Sequence, residues 1–175
     1  MSEYDHRWPD LARVVSDEIT AALDGALHHI EHIGSTSVPG LAAKPLIDLM
    51  SATTALADVA SREPALHRLG YRLVETGMRE RLLYRRDGGP IAVHLHVVLL
   101  SSWAERNERL LRDHLRRTPD DAARYAQLKR DLAATGLDPE AYTRAKTNLI
   151  QELTDRARSR LGMPLVPVWE DDETG

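Results

Sequence analysis

The chain has 175 residues, 42% of them hydrophobic, a formal charge of −4 and no cysteine. That length supports one domain with a sizeable core, and the missing cysteines exclude disulfides and thiolate metal sites. The negative charge argues against a whole-surface nucleic-acid binder; with no apolar run of about eighteen residues and no basic or apolar leader, a soluble cytoplasmic protein is expected.

Leu11, Val14, Val15, Ile19 and Leu23 recur at helical spacing after Trp8-Pro9-Asp10, which predicts an amphipathic first helix. A short strand over residues 26–33 ends in Ile30 and Ile33, and Gly34 follows where the chain must turn sharply. Ser35, Thr36 and Ser37 open that turn, and their hydroxyls and N–H groups form a concave anion site if the N–H groups converge. Pro39-Gly40 marks a further turn, and Lys44 adds a positive charge before Pro45. The strand over 45–50 carries Asp48 inside Leu46-Ile47-Asp48-Leu49. A carboxylate there is costly unless it lies at a strand end, is paired, or holds a cation, so Asp48 reads as a site residue.

Leu56, Val59, Leu66 and Leu69 predict a helix over 54–69 that stops at Gly70. Strands are expected at 71–75, 81–85 and 91–100, the last two joined by the Asp87 to Pro90 turn, giving a small mixed sheet of about five strands. On the last strand Ile91, Val93, Leu95, Val97 and Leu99 share one face, which leaves His94 and His96 together on the other. Two such imidazoles can ligate one metal ion; the alternative is a pair of half-exposed histidines on a polar face. Arg79, Arg81 and Arg85 share parity if their segment is extended, and guanidinium groups there could grip phosphate. A charged edge strand reads equally well for Arg79 and Arg81, and better for Arg85 and Arg86 beside the turn.

Three helix starts mark the second half: Ser102 with Glu105 as a capping box, Thr118 before Pro119, and Asp138 before Pro139. Ala122, Tyr125, Leu128 and Leu132 form the expected buried face of the middle helix, and Tyr142, Ala145, Leu149, Ile150 and Leu153 that of the last. Arg109, Arg112 and Arg116 lie along one side of the first and read as a solvated face. One domain is expected over 1–162. The remaining 163–175, with Pro164, Pro167 and the acidic run Glu170 to Glu173, is expected to be mobile or loosely docked.

The segment from Gly34 to Leu41 (GSTSVPGL), the following Ala43-Lys44-Pro45 and the aspartate of Pro45-Leu46-Ile47-Asp48-Leu49 resemble the signature of the GrpB family, a branch of the polymerase-beta-like nucleotidyltransferase superfamily. The likeness extends to Tyr4, Trp8-Pro9, Leu69-Gly70-Tyr71, the run from His94 to Val98, Trp103, Tyr125 and Leu128-Lys129, and so covers roughly residues 4–153. It implies an α+β, nucleotidyltransferase-like fold: a mixed sheet flanked by helices, with a C-terminal helical half. It further implies an enzyme that binds a nucleoside triphosphate, ATP by preference, on Gly34, Ser35, Thr36 and Ser37, with Lys44, Arg79 and Arg81 as further anion-binding groups. A divalent cation, Mg²⁺, Mn²⁺ or Zn²⁺, would sit on Asp48, and a nucleotidyl group would pass to, or activate, a small-molecule acceptor. Lys129 and Lys146 match positions that could approach the triphosphate.

Superfamily enzymes usually pair two aspartates one residue apart, whereas the second position here is Met50, whose thioether cannot replace a hard oxygen ligand. Glu31 is the candidate second carboxylate, with a catalytic role beside Asp48, and His94 and His96 are candidate metal ligands. A mixed N/O set of this kind suits Mn²⁺ or Zn²⁺ at least as well as Mg²⁺. Two other readings stand: a catalytically degenerate nucleotide-binding or accessory module, consistent with Met50, and a metal-dependent hydrolase using His94 and His96.

Overall fold

A computed structural model describes residues 1–78, 80–136 and 138–168, without the side chains of residues 139, 140, 142 and 143. Strands β1 (His29–Ile33), β2 (Leu46–Thr53), β3 (Arg72–Val74), β4 (Arg81–Arg86) and β5 (Ala92–Leu99) form one sheet in the order β1-β2-β5-β4-β3. Only β2 and β5 run parallel, so the sheet is mixed. Helices α1 (Trp8–Leu23), α2 (Leu56–Ala60) and α3 (Glu63–Arg68) accompany the sheet, and α4 (Asn107–Arg117), α5 (Pro119–Ala134) and α6 (Pro139–Arg160) form a helical half.

The two faces of the sheet divide the labour by strand alternation. Ile47 and Leu49 of β2 and Val93, Leu95 and Val97 of β5 point to one side, where they are fully buried against Trp8, Val15, Ile19 and Leu23 of α1. The period-two pattern of the sequence therefore becomes one apolar face, and burying it is the main driving force for this layer. The intervening residues, Asp48, Met50, His94 and His96, face the other side. There Met50 is buried among Ile33, Ala52, Val98 and Trp103.

The expected 54–69 helix is two helices. Pro64 has no N–H to donate and is tolerated only in a first helical turn, where α3 places it, so the pattern breaks at Ser61-Arg62. The predicted capping box at Ser102 does not form either. Residues Leu100–Glu105 make a 3₁₀ segment in which the Ser102 hydroxyl donates to the Leu99 carbonyl, and α4 begins at Asn107. Asp138 does cap the last helix, accepting from the Ala141 N–H at 2.9 Å.

The arginine row on α4, read from sequence as solvated, is instead the seam between sheet and helices. Arg109 grips Glu31 through two bonds at 3.0 and 3.1 Å and lies 4.1 Å over the Trp103 ring. Arg112 reaches the second Glu31 oxygen at 2.7 Å and donates to the His32 carbonyl, while Arg116 donates twice to the Ser37 carbonyl at 2.7 and 3.0 Å. Planar guanidinium groups can satisfy carboxylate and carbonyl acceptors together, which a lysine row could not. A helix this polar gains its place by those bonds, and periodicity alone cannot distinguish them from solvation.

The segment after residue 162 is held rather than loose as far as the description extends. Arg158 donates to the Pro164 carbonyl, Gln151 brackets Val166 and Val168 with two bonds, and Asn107 donates to the Pro167 carbonyl. The acidic run from Glu170 lies outside the described residues. Among the described residues, no helix is long and apolar enough to cross a membrane.

Glu31→Ala takes the shared carboxylate from Arg109 and Arg112, leaving Arg112, which is 7% exposed, with Asp113 as its remaining carboxylate. Because Glu31 itself is about a third exposed, we expect a loss nearer to about 2 kcal/mol than to the full cost of breaking a buried pair. The melting temperature should fall by roughly 4–8 °C, and Glu31→Gln, which keeps an acceptor, should fall less; unchanged melting in both variants would refute the seam.

Candidate active site

Parallel pairing of β2 and β5 sets Asp48 beside His94 and Met50 beside His96, and β1 adds Ile33 opposite Asp48. Residues paired across a sheet point to the same side, so the lone acid of β2 and the two imidazoles of β5 meet. His94 Nδ1 lies 3.3 Å from Asp48 Oδ1, and one ligand-capable atom from each of Asp48, His94 and His96 falls within 4.8 Å of the others. One carboxylate and two imidazoles are a mixed donor set that suits Mn²⁺ or Zn²⁺ and is poor for Mg²⁺. Three donor atoms of these types held this close together fit one such ion.

Burial lowers the pKa of His96 to about 4, with Arg81 acting the same way and Asp48 opposing. The ring is therefore neutral near pH 7 and keeps a lone pair. Arg81, expected among the nucleotide-binding groups, pairs with Glu108 at 2.7 Å and stands 3.4 Å from His96 Nδ1; it does not line the cavity that holds Asp48 and His96 but a neighbouring one. Burial pushes the Glu108 carboxyl upward, but Arg81 outweighs it and the group sits below its usual value. Arg79 lies outside the described residues.

The turn after β1 presses directly on the acid. Gly34 has φ 71°, and a Cβ on it would come within 2.5 Å of Asp48 Oδ2. Ser37 donates to the Gly34 carbonyl at 2.6 Å, and Thr36 donates to the Leu46 carbonyl at 2.8 Å. The Ser37 hydrogen is thus engaged within the turn, and the Thr36 hydrogen ties the turn to the start of β2. Since the Thr36 hydrogen is engaged, His32 Nε2, 2.9 Å away, must be the donor to its oxygen. Burial, aided by Arg116 and opposed by Asp48, lowers His32 to about 4.

Glu31 shares the Asp48 side of the sheet, but its two oxygens are taken by Arg109 and Arg112, and it is not a member of the metal-capable group. Lys44 is exposed and does not line the cavity. Met50 is fully buried, so the position of a second acid is filled by packing.

A cavity of about 330 Å³ opens between this site and the helical half. Gly34, Ser35, Asp48 and His96 form its sheet side; Leu111, Arg112 and Leu115 of α4, Tyr125 of α5, and Lys146, Ile150 and Thr154 of α6 form the other, with Val168 at the margin. Burial lowers the Lys146 pKa below the usual lysine range, and Asp48 opposes the shift, so this cation sits within the electrostatic reach of the acid. Lys129 is buried and donates to the Ala42 carbonyl at 2.9 Å, and burial together with Lys146 lowers its pKa to about 8. Sequence reading passed over Asn107, Leu111 and Thr154. The Lys146, Ile150, Thr154 spacing was a usable signal, though it has the same period as any buried helix face.

A family model described as GrpB protein matches residues 1–156. The chain is 36% identical over 162 residues to the UPF0157 protein BH1888 of Halalkalibacterium halodurans, covering 90% of this chain and 81% of that protein. It is 41% identical over 163 residues to the UPF0157 protein SCO7215 of Streptomyces coelicolor, covering 90% and 83%. Among solved structures it is similar to the conserved protein GrpB from Enterococcus faecalis, with a TM-score of 0.83, 29% identity, and 92% and 98% of the two chains covered. It is also similar to terminal uridylyl transferase 4 from Trypanosoma brucei with bound UTP and UpU, with a TM-score of 0.53, 18% identity, and 95% and 58% covered. That likeness is one of fold: the chain has a nucleotidyltransferase-like architecture.

Gly34→Ala forces a positive φ on an L residue and drives a methyl into Asp48. We expect a stability loss of about 1–3 kcal/mol by denaturant titration, and a backbone shift at Asp48 visible in a crystal structure of the variant; an unmoved Asp48 would refute the contact. A second expectation concerns pH. His32 and His96 both titrate lower folded than free, so the unfolded chain binds more protons between about 6.5 and 4, and stability is lost as pH falls through that window. His32→Gln should reduce the slope of stability against pH there by about one proton.

Proposed function

The chain belongs to the GrpB family, and from that premise we propose that it binds a nucleoside triphosphate, ATP by preference, in the cleft between sheet and helices. We further propose that it transfers the nucleotidyl group to a small-molecule acceptor. The observation that carries this reading is the meeting of Asp48, His94 and His96, two of which, Asp48 and His96, line a cavity together with Gly34, Ser35 and Lys146. A divalent cation held by Asp48, His94 and His96 would act as a Lewis acid, countering charge on phosphate oxygens.

The protein's own groups supply the rest. Gly34 and Ser35 bring backbone and a hydroxyl to the phosphates, and the missing Cβ at Gly34 lets that backbone approach the acid. Lys146 supports the reading as a counter-charge for the triphosphate, and the Leu111, Leu115 and Ile150 wall excludes water from one side of it. Asp48 is the one carboxylate among the three metal-capable residues. Two divalent ions in close company need more negative oxygen than one carboxylate offers, so a one-cation site is the form of transferase that these residues favour. A second reading, a nucleotide-binding module without transfer, is favoured by Met50, which fills the second acid's place with apolar packing.

The test is incubation with ATP and Mn²⁺, Zn²⁺ or Mg²⁺ together with a panel of small hydroxyl, amine and carboxylate acceptors. Pyrophosphate release in the presence of an acceptor is expected. Asp48→Ala and His96→Ala should each weaken Mn²⁺ binding at least about tenfold by calorimetry and abolish release, in line with the loss of a ligand. Nucleotide binding without pyrophosphate release would favour the module, and phosphate release alone would favour hydrolysis by the histidine pair. Failure to bind any nucleotide would overturn both nucleotide readings.

A further inference from the structure

We propose that the Thr154 hydroxyl is the specificity-determining contact for the base of the bound nucleotide, an inference that rests on the nucleotide-binding reading above. Lys146, Ile150 and Thr154 recur every fourth residue on α6, and all three line the cleft. At 1.5 Å per residue this row spans about 12 Å along the helix. Lys146 stands at the Asp48 end, where the acid influences its charge. Thr154 stands two turns further on, in a cavity whose apolar lining includes Leu115, Tyr125, Ile150 and Val168. The order cation, apolar surface, hydroxyl along one helix face matches the order phosphate, sugar and ring, polar base edge in a nucleotide.

The hydroxyl itself supplies the independent evidence. Thr154 is fully buried, yet its Oγ1 has no hydrogen-bond partner among the described residues. Helical threonines usually bond a carbonyl one turn back, and buried hydroxyls are rarely left without partners. The oxygen is covered, so the proposed contact forms as side chains over it shift to admit a base into the cavity beside it. As donor and acceptor at once, it tells bases apart by whether a ring nitrogen or exocyclic group meets it, and the charge of the phosphates does not enter.

The test measures equilibrium binding of ATP, GTP, CTP, UTP and inorganic tripolyphosphate to the full chain, alongside melting temperature. Thr154→Val keeps the shape and removes the orphan hydroxyl, so melting should rise by about 2 °C. Affinity for the preferred nucleotide should fall about tenfold, narrowing the spread among the four bases, with tripolyphosphate unchanged, and Thr154→Ser should keep the selectivity. Should the valine variant not fold, Thr154→Ala must show the same loss of selectivity. Unchanged selectivity, or equal weakening of tripolyphosphate, would overturn the assignment while leaving the nucleotide reading intact. Failure of the unmodified chain to bind any nucleoside triphosphate would overturn both.

Discussion

The contact between the Gly34 backbone and the Asp48 carboxylate is the constraint on which the site depends. A Cβ at Gly34 would lie 2.5 Å from Asp48 Oδ2, so no other residue type lets the turn press so closely on the acid. Everything around the turn holds it there: Ser37 ties its own backbone, Thr36 bonds it to the first residue of β2, Arg116 pulls on the Ser37 carbonyl, and Val38 and Leu41 bury into the helical half beside Leu115 and Leu153. The turn is thereby a wedge between two layers, and the cleft is the gap that the wedge leaves open.

Electrostatics then separate two neighbouring clusters that might have merged. On one side Asp48 stands beside His94 and His96 as the single carboxylate of the metal-capable group among the described residues. On the other, Glu31 is neutralised by Arg109 and Arg112, and Glu108 by Arg81. Partly buried carboxylates left unpaired would be costly, so the two glutamates serve as structural partners of arginine. At Met50 no such cost arises, and the apolar side chain adds to the packing around Trp103.

The helical half contributes more to the cleft than its polar sequence advertises. Its long wall runs along α6 from Lys146 to Thr154, and residues up to Val168 are fastened across the end by Gln151, Arg158 and Asn107. The family model ends at residue 156, so this strap of residues 163–168 is an addition to the region matched by the family.

From the sequence alone came the mixed sheet, the face of β5 that carries His94 and His96, the aspartate in an apolar strand, and the glycine turn before it. All of these depend on local rules: alternation in strands, φ freedom at glycine, and the cost of a charge in an apolar run. Only the tertiary structure decided that Glu31 belongs to arginines, that Thr36 and Ser37 bond inward, that the α4 arginines form a seam, and that Thr154 keeps an orphan hydroxyl. A side chain's partner across some eighty residues, as between Arg109 and Glu31, is set by how layers pack, and residue type and spacing carry no record of that distance.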